Sequence, residues 1–185
     1  VSKELMAKAS YEVRGMLHLQ NPLNEEMIAM RTSLLPSLLE IAFENREREN
    51  EMRLFEIAKV YYPKTGDLPD ESLELGALFM GLPEAWKVAK GFVEHALFEM
   101  GLGEIKWQRL ENDPFWHPGR TVQAFVGGKL MATLGEINPR LAANFKLERV
   151  AMVDMPLGAV FAQATTAKRY TPLPSYPPAK RDLAV

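Results

Sequence analysis

The chain has 185 residues, of which 47% are hydrophobic and 25% charged, and its formal net charge is −2. This composition is ordinary for a globular domain, and the charge excludes a surface built throughout to attract polyanions. The absence of cysteine excludes disulfides, thiolate metal sites and cysteine nucleophiles, and no apolar run in the sequence approaches the roughly 20 residues of a membrane-spanning helix.

The beginning of the chain predicts a helix followed by a strand. Residues 2–9 favour a short helix, and Ser2 can cap it because its hydroxyl can accept from a first-turn amide. Residues 16–20 favour a strand. We expect this strand to stop at Asn21 and Pro22, since proline cannot donate to a β-ladder and restricts the residue before it.

The second predicted helix has a strongly apolar face. Thr32 or Ser33 can cap it, and Pro36 falls in its first turn, where a missing N–H is harmless. Apolar residues then recur at helical spacing and predict a buried face. They are Leu34, Leu35, Leu38, Leu39 and Ala42. The charged run 44–51 is expected to form the solvated end of this helix and the turn after it.

Two strands and a longer helix are predicted next. Residues 52–62 are rich in apolar and aromatic side chains and indicate a long strand, which a turn over 63–67 ends. Residues 73–80 are nearly all apolar, which is typical of a central strand in a sheet. A helix is expected over 84–100, with Gly101 ending it.

The rest of the chain predicts further strands and short helices. Residues 104–110 favour a strand, and 121–134 favour a hairpin because Gly127 and Gly128 can adopt the positive φ that its turn needs. The later elements are a helix over 138–145, a strand over 149–155 and a helix over 157–164. Strands joined mainly as hairpins, with a few helices between them, predict an α+β antiparallel sheet.

We expect three parts along the chain. Residues 1–164 form a core domain, the proline-rich residues 165–180 an extended linker, and residues 181–185 the first strand of a further domain. Because the chain starts at Val1 and stops inside a predicted strand, we expect it to be a piece of a longer polypeptide that lacks the start of its core domain.

Familiar catalytic motifs are absent from the sequence. The three histidines lack metal-ligand spacing, and neither a phosphate-binding glycine loop nor a nucleophile elbow is present. His117 follows Phe115 and Trp116 and precedes Pro118 and Gly119, which predicts a turn with a fixed imidazole. Two interpretations of His117 are open. Its imidazole acts as a general base or ligand, or it forms a hydrogen bond that holds the turn together. We favour the second interpretation, since no acid or nucleophile lies nearby in sequence.

Five segments form an ordered pattern over nearly the whole chain. They are Asn21-Pro22-Leu23 with Met30-Arg31-Thr32-Ser33-Leu34-Leu35-Pro36; Leu54-Phe55-Glu56-Ile57 with Lys59-Val60-Tyr61; Pro114-Phe115 with His117-Pro118-Gly119-Arg120; Leu134-Gly135-Glu136-Ile137-Asn138-Pro139; and Pro174 with Tyr176-Pro177-Pro178-Ala179 and Arg181-Asp182-Leu183-Ala184-Val185. In this order and at this spacing, the segments resemble the β subunit of bacterial phenylalanyl-tRNA synthetase, in its catalytic-like domain.

The resemblance implies a class II synthetase-like antiparallel sheet flanked by helices. It also implies that 181–185 opens the ferredoxin-like domain that contacts the anticodon stem in the family. The complete enzyme joins phenylalanine to tRNA(Phe) in the cytoplasm with ATP and magnesium. Its α and β subunits form an (αβ)₂ heterotetramer, and no membrane is involved. For this region the resemblance implies no catalytic residue, cofactor or metal, and a supporting role against the catalytic α subunit.

The motif positions are therefore expected to be structural or to lie at a subunit interface. They are Asn21, Pro22, Arg31, Phe55, Glu56, His117, Pro118, Gly119, Gly135, Arg181 and Asp182. For Arg31, we favour a structural ion pair or a contact at the start of the helix over a relic of substrate binding.

Two departures from a working class II site are visible. Such a site needs an arginine just after the strand over 52–62 to hold the α-phosphate of ATP bidentately, and Tyr62-Pro63 stands there instead. A second arginine belongs on a glycine-rich strand-to-helix junction. The corresponding stretch 154–160 contains no arginine, and Asp154 would repel a triphosphate. The isolated region is accordingly expected to be inactive.

Two other functions remain open from the sequence. One is an adenylating class II-like ligase with an atypical site built from Arg31, Lys59 and His117. The other is a free-standing interaction module that has lost any synthetase role. ATP binding separates the first from a scaffold, and binding to a synthetase α subunit separates the second.

Overall fold

The computed structural model describes residues 1–11, 16–24 and 27–166 of the chain. The elements in chain order are α1 (Lys3–Lys8), α2 (Leu35–Asn45), β1 (Met52–Tyr62), β2 (Asp70–Met80), α3 (Ala85–Glu99), β3 (Lys106–Arg109), β4 (Trp116–Val126), β5 (Lys129–Ile137), α4 (Pro139–Asn144), β6 (Ala151–Pro156) and α5 (Leu157–Phe161). Helices and strands thus alternate irregularly, as in an α+β fold.

The six strands of the described region form one antiparallel sheet in the order β1-β2-β6-β5-β4-β3. Three pairs of strands are consecutive in the sequence and adjacent in the sheet, like the arms of hairpins: β1–β2, β3–β4 and β4–β5. β6 instead enters the sheet between β2 and β5. The sheet therefore closes through long-range pairing at its centre, and β1 and β3 lie at its edges. The α+β antiparallel architecture predicted from the sequence is confirmed.

Both faces of the sheet are covered by helices. Strand side chains alternate between faces, so Leu78 joins the apolar core under α1, α2 and α4, while Ala77 and Phe79 join the core under α3 and α5. The α2 core includes Leu35, Leu38, Leu39 and Ala42, as the helical spacing predicts. The sheet is thus the middle layer of a three-layer domain, and α2 is the helix that lies over the β1–β2 end.

Local sequence signals explain the helix starts. Ser2 caps α1, because its Oγ accepts from the Leu5 amide at 3.0 Å. The prediction that Thr32 or Ser33 caps α2 is wrong, because the N-cap residue is Leu34, which makes no side-chain capping hydrogen bond. The Ser33 Oγ still accepts from the Leu35 amide at 3.2 Å, and Pro36 lies in the first turn of α2. Asn138 caps α4, because its Oδ1 accepts from the Arg140 amide at 3.0 Å.

Two predictions of secondary structure are wrong: the strand over 16–20 and the turn at His117. The strand predicted over 16–20 is reduced to one bridge between His18 and Ala29, because this pairing is flanked by only two backbone hydrogen bonds and does not join the main sheet. The turn predicted around His117 is part of β4. Trp116 still pairs with Ile137, and the register then shifts before Thr121 pairs with Gly135, so the intervening residues form a bulge rather than a chain reversal.

The predicted second and third parts of the chain cannot be compared with the structure. Of the linker predicted over 165–180, only residues 165 and 166 are described, and the strand predicted over 181–185 lies outside the described residues. Arg181 and Asp182 therefore remain sequence predictions.

Candidate functional site

Two acidic side chains lie on the α2 side of the sheet, near the end where β1 finishes. Glu74 on β2 is buried, and the Tyr62 hydroxyl at the end of β1 donates to its Oε1 at 2.8 Å. Asp154 on β6 is paired in register with Gly76, two residues along β2 from Glu74. Because residues two apart on a strand share a face, both carboxyl groups face the α2 layer.

Asp154 is the unusual member of this pair. Its Oδ1 atom is shielded from solvent and has no hydrogen-bond partner among the described residues. Burial first, and the negative charge of Glu74 second, raise the pKa of the Asp154 carboxyl from 3.8 to about 7. Burial also raises the pKa of Glu74, although the hydrogen bond from Tyr62 opposes that rise. Together the two carboxyl groups form a site that favours retaining a proton.

Tyr11 and Ser33 lie close to this acidic pair. The Tyr11 hydroxyl donates to Ser33 Oγ at 3.1 Å. Burial, and then the charge of Asp154, raise the pKa of Tyr11. Tyr11, Ser33, Tyr62, Glu74 and Asp154 are called the sheet-face cluster below. Its members are carboxyl and hydroxyl groups, so it offers no cation to a ligand.

Helix α2 is seated directly on the sheet beside this cluster. Gly76 has no side chain, and an ideal Cβ built there would lie 3.0 Å from both Leu34 Cβ and Leu38 Cδ1. Leu34 and Leu38 are buried. The apolar face of α2 thus fills the space above the middle of β2.

The sheet-face cluster does not fit a nucleoside triphosphate. A triphosphate needs cationic or backbone N–H donors at close range, whereas Glu74 and Asp154 would repel it when ionised. On β1, the Lys59 ammonium lies 2.6 Å from Glu71 Oε2 and belongs to the positions that face away from α2. The residue at the end of β1 is Tyr62 and not an arginine. The residues present are therefore suited to holding the α2 layer in place rather than to binding polyphosphate.

Arg31 and Glu56, two of the predicted motif positions, form an ion pair. The Arg31 guanidinium lies 2.7 Å from Glu56 Oε1, and its Nε donates to the Lys59 carbonyl at 3.4 Å. The Arg31 carbonyl accepts from the Tyr61 amide at 2.9 Å. This geometry agrees with the interpretation of Arg31 as a structural ion pair, which fixes the segment before α2 against β1.

His117 and its neighbours lie elsewhere in the sheet. His117 Nδ1 accepts from the Gly119 amide at 3.0 Å, and the His117 carbonyl accepts from Thr121 Oγ1 at 2.9 Å. Pro118 and Gly119 are exposed. The imidazole is thus held by local hydrogen bonds, as the favoured interpretation requires, although within a bulged strand.

The three residues of the atypical-ligase alternative are not brought together. Arg31 and Lys59 are neighbours at one edge, on β1 and beside it, but three strands separate β1 from His117 on β4. At a strand spacing of about 4.8 Å, that order alone puts the strands roughly 19 Å apart. A single small reacting group cannot touch all three side chains.

The other predicted positions have ordinary structural roles or are exposed. At Gly135, an ideal Cβ would lie 2.3 Å from the Arg120 carbonyl oxygen, so only glycine allows the bulged part of β4 to pack this closely. Asn21 and Pro22 are exposed. Phe55 projects from β1 with 69% of its surface exposed.

No local sequence pattern predicts the sheet-face cluster as a unit. Tyr62 and Asp154 stand in the sequence where a class II site needs arginine, and Glu74 lies within the nearly apolar strand predicted over 73–80. The available signal was Glu74 itself, because a carboxylate inside an apolar strand predicts a buried polar contact. Its partners come from β1, β6 and the segments before α2, which no local pattern connects.

The described region contains neither a cluster of metal-ligating side chains nor a helix that could span a membrane. Within residues 1–11, 16–24 and 27–166, no group of three or more histidine, aspartate or glutamate side chains is placed to hold a metal ion. Among those residues, no helix is both long enough and apolar enough to cross a bilayer.

Comparison with known proteins gives concordant matches. A family model described as the phenylalanyl tRNA synthetase beta chain CLM domain matches residues 1–157. The chain is 34% identical to the phenylalanine–tRNA ligase beta subunit of Symbiobacterium thermophilum, over 93% of this chain and 21% of that protein. It is 32% identical to the corresponding Staphylococcus aureus subunit, over 100% of this chain and 24% of that protein. The chain thus spans less than a quarter of the length of these relatives.

The fold also matches solved structures. A pyrrolysyl tRNA synthetase from Desulfitobacterium hafniense superposes with a TM-score of 0.68 at 17% identity, covering 90% of this chain and 64% of that one. A second structure of pyrrolysyl-tRNA synthetase from the same organism gives a TM-score of 0.65 over 86% of this chain and 58% of that one. These likenesses establish that the sheet and its helices have the class II synthetase fold.

Proposed function

This chain belongs to the phenylalanyl-tRNA synthetase beta-chain family, and from that membership we propose that it is a catalytically silent part of a phenylalanine–tRNA ligase beta subunit. In this role it supports the catalytic alpha subunit and does not itself activate an amino acid. The parent enzyme attaches phenylalanine to tRNA with ATP and magnesium, in the cytoplasm, as an (αβ)₂ heterotetramer. The beta-subunit names of the relatives support a partner subunit.

The observation that carries this proposal is the closure of the sheet face by α2. Leu34 and Leu38 occupy the space over Gly76, and the neighbouring polar groups are the carboxyl and hydroxyl groups of the sheet-face cluster. A class II site needs the opposite arrangement, with an open face and arginine forks that grip phosphates. A closed and acidic face supports a structural role.

The atypical-ligase alternative has little support. Arg31 is engaged by Glu56 and Lys59 by Glu71, and His117 lies on a distant strand. A free-standing interaction module is compatible with the same geometry, so the partner subunit decides between that function and the proposed one.

Copurification with the alpha subunit tests the proposal. The chain, tagged and coexpressed with an untagged synthetase alpha subunit, is expected to retain that subunit through affinity and size-exclusion steps. The full-length beta subunit serves as the positive control for assembly. If the full-length subunit captures the alpha subunit under conditions where the chain captures none, this region does not support its partner by direct contact.

A further inference from the structure

One carboxylate oxygen inside the domain lacks a hydrogen-bond partner. Asp154 Oδ1 is shielded from solvent and accepts no hydrogen bond among the described residues. Because the atom is already enclosed, a negative charge on it has to be met by a donor that lies beside it within the domain or by a small solvent molecule. The hydroxyl groups around Asp154 therefore decide how the domain tolerates ionisation of this carboxyl group.

The packing of α2 on β2 brings the Tyr11 hydroxyl to this region. Asp154 is paired in register with Gly76, and Leu34 lies against Gly76. Ser33 comes directly before Leu34, and its Oγ accepts from the Tyr11 hydroxyl at 3.1 Å. This succession of contacts leads from the unpartnered carboxyl group to a phenol that donates to a neutral acceptor.

The electrostatic influence of Asp154 on Tyr11 supports their proximity. Burial is the largest cause of the raised pKa of Tyr11, and the charge of Asp154 comes next, ahead of the charges of Asp113 and Glu74. Because the interaction between two charges weakens with distance, Asp154 is the carboxyl group that acts most strongly on this phenol.

The other charged and titratable groups on this face are engaged or exposed. Glu74 of β2 accepts from the Tyr62 hydroxyl of β1, and Glu56 of β1 holds Arg31 in an ion pair. The acidic side chains of α2 are exposed; they are Glu40 and Glu44. The pKa of Asp154 is set by burial and then by the charge of Glu74, so no cation of the described residues offsets its charge.

Thr133 of β5 is the competing hydroxyl donor. It is paired in register with Asp154, and its Oγ1 accepts from Gln123 Nε2 at 3.4 Å. The Thr133 hydroxyl is aliphatic, whereas a phenol is more acidic, with an ordinary pKa of about 10. A phenol therefore forms the stronger hydrogen bond to a carboxylate, which favours Tyr11 as the donor.

We propose that Tyr11 is a proton-linked hydrogen-bond switch: its hydroxyl donates to Ser33 Oγ while Asp154 is protonated, and turns to donate to Asp154 Oδ1 when that carboxyl group loses its proton to solvent. A rotation of either side chain brings the two oxygens within hydrogen-bond distance. The move replaces a neutral hydrogen bond with a charge-assisted one, which is about twice as strong. This inference rests on the packing around Asp154 and is independent of the proposed function.

The switch links a proton on the sheet to the start of α2. While Asp154 is protonated, Tyr11 ties the segment after α1 to Ser33, just before α2. In the ionised state that tie is lost, and Ser33 Oγ keeps only the Leu35 amide, at 3.2 Å. Since the pKa of Asp154 is about 7, both states are populated near neutral pH.

Carbon-13 NMR titration of the Asp154 carboxyl group tests the switch, with its signal identified by its loss in Asp154→Asn. Tyr11→Phe removes the donor to the carboxylate and is expected to strengthen proton binding by Asp154 about three- to tenfold, which raises its pKa. Ser33→Ala removes the competing acceptor and is expected to weaken proton binding by a similar factor. Tyr61→Phe removes a phenol hydroxyl from the opposite face of β1 and is expected to change nothing at Asp154.

The wild-type chain gives a second readout that needs no variant. The signal of the Tyr11 ζ-carbon is expected to change with the same midpoint as the Asp154 carboxyl group, because the attached hydroxyl changes its acceptor. Titration of Asp154 without a change at Tyr11, or an unchanged midpoint in Tyr11→Phe, overturns the proposal. A midpoint raised by Thr133→Val and not by Tyr11→Phe also overturns it, and assigns the donor to Thr133.

Discussion

Leu34 lies against the bare backbone of Gly76, so closely that a Cβ on the glycine would be 3.0 Å from the Leu34 Cβ. This contact joins the start of α2 to the middle of β2 and closes this part of the sheet face. The contact depends on a large buried side chain at Leu34 and on the absence of a side chain at Gly76, because a Cβ at position 76 would crowd Leu34. The closed face is therefore built by packing between α2 and β2.

Gly76→Ala is expected to destabilise the domain by about 1–3 kcal/mol, because the added methyl overpacks the contact with Leu34 and Leu38. Urea denaturation followed by far-UV circular dichroism measures the change. The control is Gly91→Ala on α3, where an added Cβ meets no atom within 4 Å. That variant is expected to gain about 0.5–1 kcal/mol from helix propensity. Equal effects of the two substitutions would show that α2 does not sit tightly on Gly76.

Leu38→Ala is expected to cost about 2–5 kcal/mol, because Leu38 is 2% exposed and its removal leaves a cavity between α2 and the sheet. Ile41→Ala on the same helix is the matched control, since Ile41 is 41% exposed. Its cost is expected to be much smaller. A loss well under 1 kcal/mol for Leu38→Ala in denaturant melts would mean that the buried face of α2 is assigned to the wrong residues.

Asp154 is expected to make the domain less stable as pH rises. The pKa of its carboxyl is about 7 in the folded protein against 3.8 as the reference value, so the native state binds more protons than the unfolded state between these limits. Its contribution to the free energy of unfolding therefore falls from about pH 4 to pH 7 and stays low above pH 7. Burial of a charge without a partner is the physical cause.

Asp154→Asn is expected to remove this pH dependence. Near pH 4 the variant and the wild type should differ little. At pH 8 the variant is expected to be more stable by about 1–4 kcal/mol, since it carries no charge to bury. Chemical denaturation at several pH values provides the measurement, with Asp67→Asn in an exposed turn as the control. Parallel pH profiles for the wild type and Asp154→Asn would contradict the buried carboxyl pair.

Much of the fold could be predicted because its signals are local. The limits of β1 follow from an apolar run that ends at a polar turn, and the β4–β5 hairpin follows from Gly127 and Gly128, which adopt φ values of +56° and +78°. The caps of α1 and α4 depend on Ser2 and Asn138, and each side chain acts within three residues. Such interactions join residues that are close in the sequence, so a local pattern predicts them.

The rest depends on contacts between distant segments. The entry of β6 between β2 and β5 has no local signal, so neither the position of Asp154 beside Gly76 nor its approach to Glu74 could be predicted. The position of β1 at one end of the sheet follows from the same order of strands. At His117, the proline and glycine predicted a turn, but pairing of Trp116 with Ile137 keeps the segment in the sheet. Tertiary pairing there prevails over local turn chemistry.

Isothermal titration of the chain with ATP and Mg²⁺, with and without phenylalanine, tests the closed sheet face most directly. The account predicts no saturable heat up to millimolar nucleotide in either case, because Leu34 and Leu38 fill the space over Gly76 and the adjoining carboxyl groups repel phosphate. Saturable binding in the micromolar range at one site per chain would contradict it, and would make Arg31, Lys59 and His117 the first residues to substitute.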